Sequence, residues 1–287
     1  MKIHILAIDC QNDFCHPQGA LSVPGAKEDS ERLAAFIARN ERKIDDIHMT
    51  LDSHNEVDIA HPIMWTNSNG EHPTPFTILT EDMVVNGEWN AIIKAKGIEY
   101  VRKLTQNSKK PLCVWPPHCI IAKTELKPLL DSNGEEVRDE NGNVLMYPYS
   151  GHAVYEPIAT AVSNWAKNRH KTVDYQVKGS NPWTEHYSAI KADVVDPSDP
   201  STAVNTEILN NMTEADMIIV SGQALSHCVA DTLTDVIQSF GEDQAKKFVI
   251  LEDTCSNVPG FESLGEEFII RMKAIGVRCE KSTEFLV

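Results

Sequence analysis

The sequence predicts a doubly wound α/β fold, and three observations carry that expectation. Short apolar runs recur along the chain, helical patterns lie between them, and reactive polar side chains stand where the runs end. A run that is apolar throughout, rather than alternating, suits a strand of a parallel sheet covered on both faces. Alternation of such strands with helices argues for the doubly wound arrangement.

The elements follow in chain order. Lys2–Asp9 (KIHILAID) reads as the first strand and Lys27–Arg39 as the first helix. Ile44–Asp52 is the second strand. Residues His61–Lys110 then break the rhythm with several prolines, two tryptophans and one helical stretch over Asn90–Thr105. Asp131–Pro148 breaks it again: Asn-Gly pairs flank a short polar run, which predicts an exposed β-hairpin or turn. A helix over Ala153–Asn168 leads to the third strand, Val173–Lys178. Met217–Ser221 and Phe248–Leu251 are the fourth and fifth strands, separated by a helix over Cys228–Phe240. A helix over Glu262–Ile275 precedes a weak sixth strand at Val277–Glu280. With no repeat and no low-complexity linker, residues 1–287 read as one domain carrying insertions at about 61–110 and 131–150.

Composition narrows the function. The chain carries 26 basic and 42 acidic residues, a net charge of −16, which argues against nucleic acid or an anionic membrane as the main partner. No run approaches the roughly 18 apolar residues of a membrane span. The N-terminus lacks the basic region and cleavage site of a signal peptide, so a cytoplasmic location is expected. The seven cysteines are odd in number and show no zinc-ribbon or CxxC spacing, so most are expected to be free thiols.

Ligands of open parallel sheets bind at the carboxyl ends of the strands. The first strand ends in Asp9, followed by Gln11, Asn12 and Asp13. The second ends in Asp52, with His54 two residues on, and the third in Lys178. The fourth runs into SGQALSHCVADT, which places Cys228 at the start of a helix. That layout exposes a nucleophile. A helix N-terminus and a nearby ammonium from Lys178 would both lower the thiol pKa, and Asp9 would shuttle its proton. Ala224 and Cys228 N–H groups at the turn would hold an oxyanion. Each residue alone has an ordinary alternative: a buried cap cysteine, a turn aspartate, a surface lysine.

Asp52 and His54 share one side of an extended chain, and His118 in WPPHC would close a third side. Two imidazoles and a carboxylate suit a catalytic metal site with open positions better than a closed structural one. The other histidines are given no metal role; His61 is the best reserve ligand among them, with an ordinary loop histidine as the preferred reading. Phe14, Trp115 and Tyr187 sit beside these motifs and are candidates for an aromatic slot, with core packing as the plain alternative.

Five segments, AIDCQNDF, LDSH, WPPHC, VKG with TEHYSAI, and SGQALSHCV, stand in an order that resembles the isochorismatase-like cysteine hydrolases, and within them the nicotinamidase (pyrazinamidase) branch. The resemblance implies a six-stranded parallel sheet with helices on both faces and an Asp9–Lys178–Cys228 triad. It implies a cis peptide before Ala224 that makes the Ala224 and Cys228 N–H groups an oxyanion hole. It also implies a divalent metal on Asp52, His54 and His118, zinc first with manganese or iron as alternatives. Phe14, Trp115 and Tyr187 would flank the substrate ring. The expected reaction is hydrolysis of a small aromatic or heteroaromatic carboxamide, nicotinamide to nicotinate and ammonia, through a Cys228 thioester. Two alternatives stand beside it: a related hydrolase of another small amide or carbamoyl compound, and a catalytically silent small-ligand binder. A homo-oligomer is expected. The chain departs from the branch in length. His54 and His118 lie 64 positions apart, and the His118–Lys178 stretch is also long.

Overall fold

The computed structural model describes residues 1–131 and 133–286. Six parallel strands form the central sheet: β1 (Ile3–Ile8), β2 (Asp46–Asp52), β3 (Asp174–Lys178), β4 (Met217–Gly222), β5 (Phe248–Leu251) and β6 (Arg278–Glu280). Their order is β6-β5-β4-β1-β2-β3. β1 therefore lies inside the sheet, with Ile5 paired to Ile219 on one side and to Ile47 on the other.

The apolar runs are explained by burial on both faces. Successive side chains of a strand point to opposite faces. Ile5, Ile47, Ile219 and Val249 pack with Phe36, Ile37 and Trp165 of the helices Ala26–Asn40 and Glu156–Arg169. Leu6, Ile8, Ile218 and Val220 pack on the other face with Leu233, Val236 and Phe268 of the helices Ala230–Phe240 and Glu262–Ala274. Each such fully buried branched side chain contributes about 1.5–3 kcal/mol. The outermost strands are the ones the pattern marks weakly. β6 is only half-buried, and β3 leaves Tyr175 and Val177 exposed on alternate positions.

The two insertions differ in detail from the expectation. In the first, the helix begins later, at Lys94–Gln106, because Asn90–Ala91 pairs antiparallel with Trp65–Thr66. A second small pair joins Ile78–Leu79 to Leu112–Cys113. In the second, the expected hairpin at 131–148 is the outer part of a longer β-arm whose paired strands are Glu125–Pro128 and Met146–Tyr149. Ser132, within that hairpin, lies outside the described residues. The helix Thr206–Met212 had no sequence expectation; Asn205 caps it by accepting from the Glu207 and Ile208 N–H groups. No helix of the described residues is long and apolar enough to cross a membrane.

Candidate active site

The carboxyl ends of β1, β2, β3 and β4 converge, and the chain is locally shaped to allow it. Asp9 follows β1 in a left-handed conformation (φ 47°), and its backbone N–H donates to the Thr50 hydroxyl at 3.0 Å. The Thr50 hydroxyl in turn donates to Asp9 Oδ1 at 2.5 Å. Gln11 spans the gap to β2: its side chain donates to the Asp52 carbonyl and accepts the Asp52 N–H. β4 ends at Gly222, where φ is 128° and an added Cβ would stand 2.0 Å from the Ile8 carbonyl oxygen. Only glycine permits that approach. The Gln223–Ala224 peptide is cis, and the π-type turn Leu225–Val229 follows it. Cys228 thus lies within that turn, two residues before the regular helix Ala230–Phe240, not at its first residue as the sequence pattern indicates.

Lys178 is the hub. Its ammonium lies 3.0 Å from Asp9 Oδ2, 2.9 Å from Asp52 Oδ1, 2.8 Å from the His186 carbonyl and 3.6 Å from Cys228 Sγ. All of these groups are buried. Burial alone would discharge the lysine, but Asp52, Asp9 and Cys228 hold its pKa well above the ordinary value, so it remains an ammonium. Burial raises the Asp9 pKa despite the lysine beside it.

The thiol reverses the expectation of a lowered pKa. Burial pushes Cys228 well above the usual cysteine range. Lys178 pulls it down, and Asp9 and Asp52 push it up. Desolvation of the anion outweighs the ammonium, and two nearby carboxylates oppose it. The resting group is a neutral thiol whose ionisation requires a proton acceptor at hand.

Asp52 joins this cluster to a second one. Its other oxygen lies 3.1 Å from His54 Nε2 and 3.3 Å from His118 Nε2. Burial would raise the Asp52 carboxyl, yet His54, Lys178 and the imidazole hydrogen bonds hold it well below the usual carboxylate range. Donor atoms of Asp52, His54 and His118 all lie within 4.8 Å of one another, a spacing that a single divalent cation spans. Asp58 Oδ2 sits 3.2 Å from His54 Nδ1, and the Pro116 carbonyl accepts from His118 Nδ1 at 2.8 Å. Both contacts leave the Nε2 atoms facing the common centre. His61 stands beside the set, its ring 5.1 Å from that of His54, fully buried and with neither ring nitrogen hydrogen-bonded among the described residues. His61 is not among the donors that lie within 4.8 Å of one another, and burial holds its imidazole down to about 3.

The two clusters share one pocket. Phe14, Trp115, Tyr187, Ala224 and Cys228 line it together with Asp52 and His118, as do Leu21, Val258, Glu185 and His227. Trp115 Nε1 donates to the Tyr187 hydroxyl at 3.0 Å, and the His227 ring meets Trp115 edge-on at 5.2 Å. Sequence reasoning missed His227 and Glu185 as wall residues. Both neighbour residues singled out by their motifs, so adjacency was the available signal. Burial pushes the Glu185 carboxyl up to about 7 and holds His227 down at about 3.

No family model matches the chain, and no curated protein matches it. Solved structures do. The yeast nicotinamidase aligns over 98% of this chain and 99% of its own, at a TM-score of 0.60 and 16% identity. The nicotinamidase/pyrazinamidase of Acinetobacter baumanii aligns over 99% and 98%, at 0.60 and 19%. This chain has the nicotinamidase fold. The Pyrococcus horikoshii pyrazinamidase, solved in complex with zinc, aligns over 98% and 99%, at 0.50 and 15%. The six-stranded parallel sheet implied by the sequence resemblance is the architecture these structures share with the chain.

Proposed function

We propose that the chain hydrolyses a small aromatic or heteroaromatic carboxamide, with nicotinamide to nicotinate and ammonia as the first candidate. The observation that carries this reading is the shared pocket: Cys228, in contact with the buried Lys178 and Asp9, lines the same aromatic slot as Asp52 and His118 of the candidate metal set. The solved nicotinamidases of the same fold support it.

The chemistry follows from the protonation states. The neutral Cys228 thiol gives its proton to Asp9 as sulfur attacks the amide carbon, with Lys178 beside the developing thiolate. The Ala224 and Cys228 N–H groups are assigned to the oxyanion. The C–N bond breaks, and ammonia leaves with the proton returned by Asp9. Water then cleaves the thioester to the acid and restores the thiol. Phe14, Trp115 and Tyr187 hold the ring. A divalent metal, when bound by Asp52, His54 and His118, supplies a Lewis-acidic anchor for a ring nitrogen; zinc is the first assignment.

The test is ammonia release from nicotinamide by purified protein, before and after chelation. Turnover that chelation abolishes and zinc restores is the expected result. Absence of release from nicotinamide and from a panel of other aromatic carboxamides would overturn the reading.

A further inference from the structure

Asp13 belongs neither to the triad nor to the metal set, yet its carboxylate ties together the segments carrying Leu21 and His118 and the inserted β-arm. Its Oδ1 accepts the Ala20 N–H at 3.0 Å and the Tyr149 hydroxyl at 3.1 Å. Its Oδ2 accepts the Cys119 N–H at 2.7 Å. Each partner is next to, or part of, something that matters. Phe14 follows Asp13, Leu21 follows Ala20, and all three of Phe14, Leu21 and His118 line the pocket. Tyr149 is the last residue of the β-arm inserted between His118 and Lys178.

The Cys119 contact has a specific mechanical effect. Cys119 is not glycine but adopts φ 47°, a left-handed conformation that costs a β-carbon residue about 1–2 kcal/mol. A short, charge-assisted bond to its N–H offsets that cost. The same residue's carbonyl accepts the His54 N–H at 3.1 Å. The backbone of Cys119 therefore connects the segment carrying His118 to the segment carrying His54, and Asp13 anchors that backbone. The arm is fitted closely to the same anchor. A Cβ on Gly151 would stand 1.9 Å from Asp13 Oδ2, and the Gly151 carbonyl accepts the Asp13 N–H at 3.0 Å. Burial, with the Asp13 carboxylate beside it, pushes the Tyr149 phenol far above its ordinary value, so it stays a donor.

We propose that Asp13 is a positioning residue for the Asp52–His54–His118 set, and that the inserted arm contributes to metal affinity through the Tyr149 hydroxyl. This rests on the metal reading above. Groups that orient metal ligands from behind typically change affinity by about 10- to 100-fold when removed.

The experiment is zinc affinity of the full chain by competition with a chromophoric chelator, with thermal unfolding of the metal-free proteins beside it. Asp13→Asn is expected to bind zinc about 10- to 100-fold more weakly. Tyr149→Phe is expected to bind it a few-fold more weakly while the metal-free protein unfolds at the wild-type temperature. Tyr147→Phe, which removes a hydroxyl bonded to Gln18 instead, is expected to bind zinc as the wild type does. If Asp13→Asn does not fold, the comparison of Tyr149→Phe with Tyr147→Phe decides alone. Wild-type zinc affinity in Asp13→Asn and Tyr149→Phe would overturn the proposal while leaving the metal set standing. A wild-type protein that takes up no zinc would overturn both.

Discussion

At the scale of single residues, the site is an exercise in unequal burial. Four ionisable groups, Asp9, Asp52, Lys178 and Cys228, share one dry space, and a single ammonium serves three of them. Two predictions follow from that count. Cys228→Ala is expected to lower ammonia release by at least about a thousandfold, because removal of a nucleophile from a catalytic unit disables the unit. Zinc binding should persist, since the metal set does not use the sulfur; initial rates and metal titration check both. Lys178→Met is expected to cost about 3–5 kcal/mol of stability, because the buried Asp9 then loses its counter-charge and Asp52 keeps only the His54 and His118 imidazoles. Urea unfolding measures it, and a loss under about 1 kcal/mol would refute the hub. The residues of this set were legible as chemistry types at strand ends. Their protonation was not. The low thiol pKa expected from a helix terminus and a lysine is reversed by burial, and depth of burial has no local signature in a sequence.

At the scale of elements, legibility tracked packing. β1, β4 and β5 are apolar at nearly every position because both faces are covered, and their expected spans match the structure within two residues. The half-buried β6 and the capped helix Thr206–Met212 were weak or unseen, since neither presents a full apolar stripe. The cysteine-bearing turn was read as plain helix because a π-type turn changes hydrogen bonding without changing residue preference. The turn's approach is set by Gly222. Gly222→Ala is expected to destabilise the protein by about 1–3 kcal/mol through strain and overpacking against Ile8, and to impair turnover together with it. The β-arm predicts the opposite behaviour. Replacing residues 130–144 by a two-residue turn, with Tyr149 kept, is expected to leave the unfolding temperature within a few degrees of wild type. The described residues of that stretch are mostly exposed. Differential scanning calorimetry checks both.

At the scale of the whole molecule, net charge and titration set the conditions of use. The net charge of −16 sets the sign of the long-range field, which repels polyanions. Acid acts through buried imidazoles. His227 is held neutral down to about 3, whereas in the unfolded chain it takes a proton near 6.5. Between those values the unfolded state binds more protons, so this group's contribution to stability falls as pH falls. The limit is about 1.4 kcal/mol per pH unit. His227→Gln is therefore expected to lose less stability than the wild type between pH 6.5 and 4.5. Equal losses in urea titrations at the two pH values would contradict the burial of that ring.

The position of β1 inside the sheet has a consequence for the chain while it is being made. Ile3–Ile8 leaves the ribosome ahead of every other strand of the sheet, and β2 can cover one of its edges some forty residues later. Its other neighbour begins only at Met217. At about 5–20 residues per second, the interval runs to tens of seconds. Throughout it a six-residue apolar strand offers a bare row of backbone donors and acceptors to any neighbouring nascent chain. A fragment stopped before Met217 should collect in aggregates or on chaperones, and adding β4 should be what releases it.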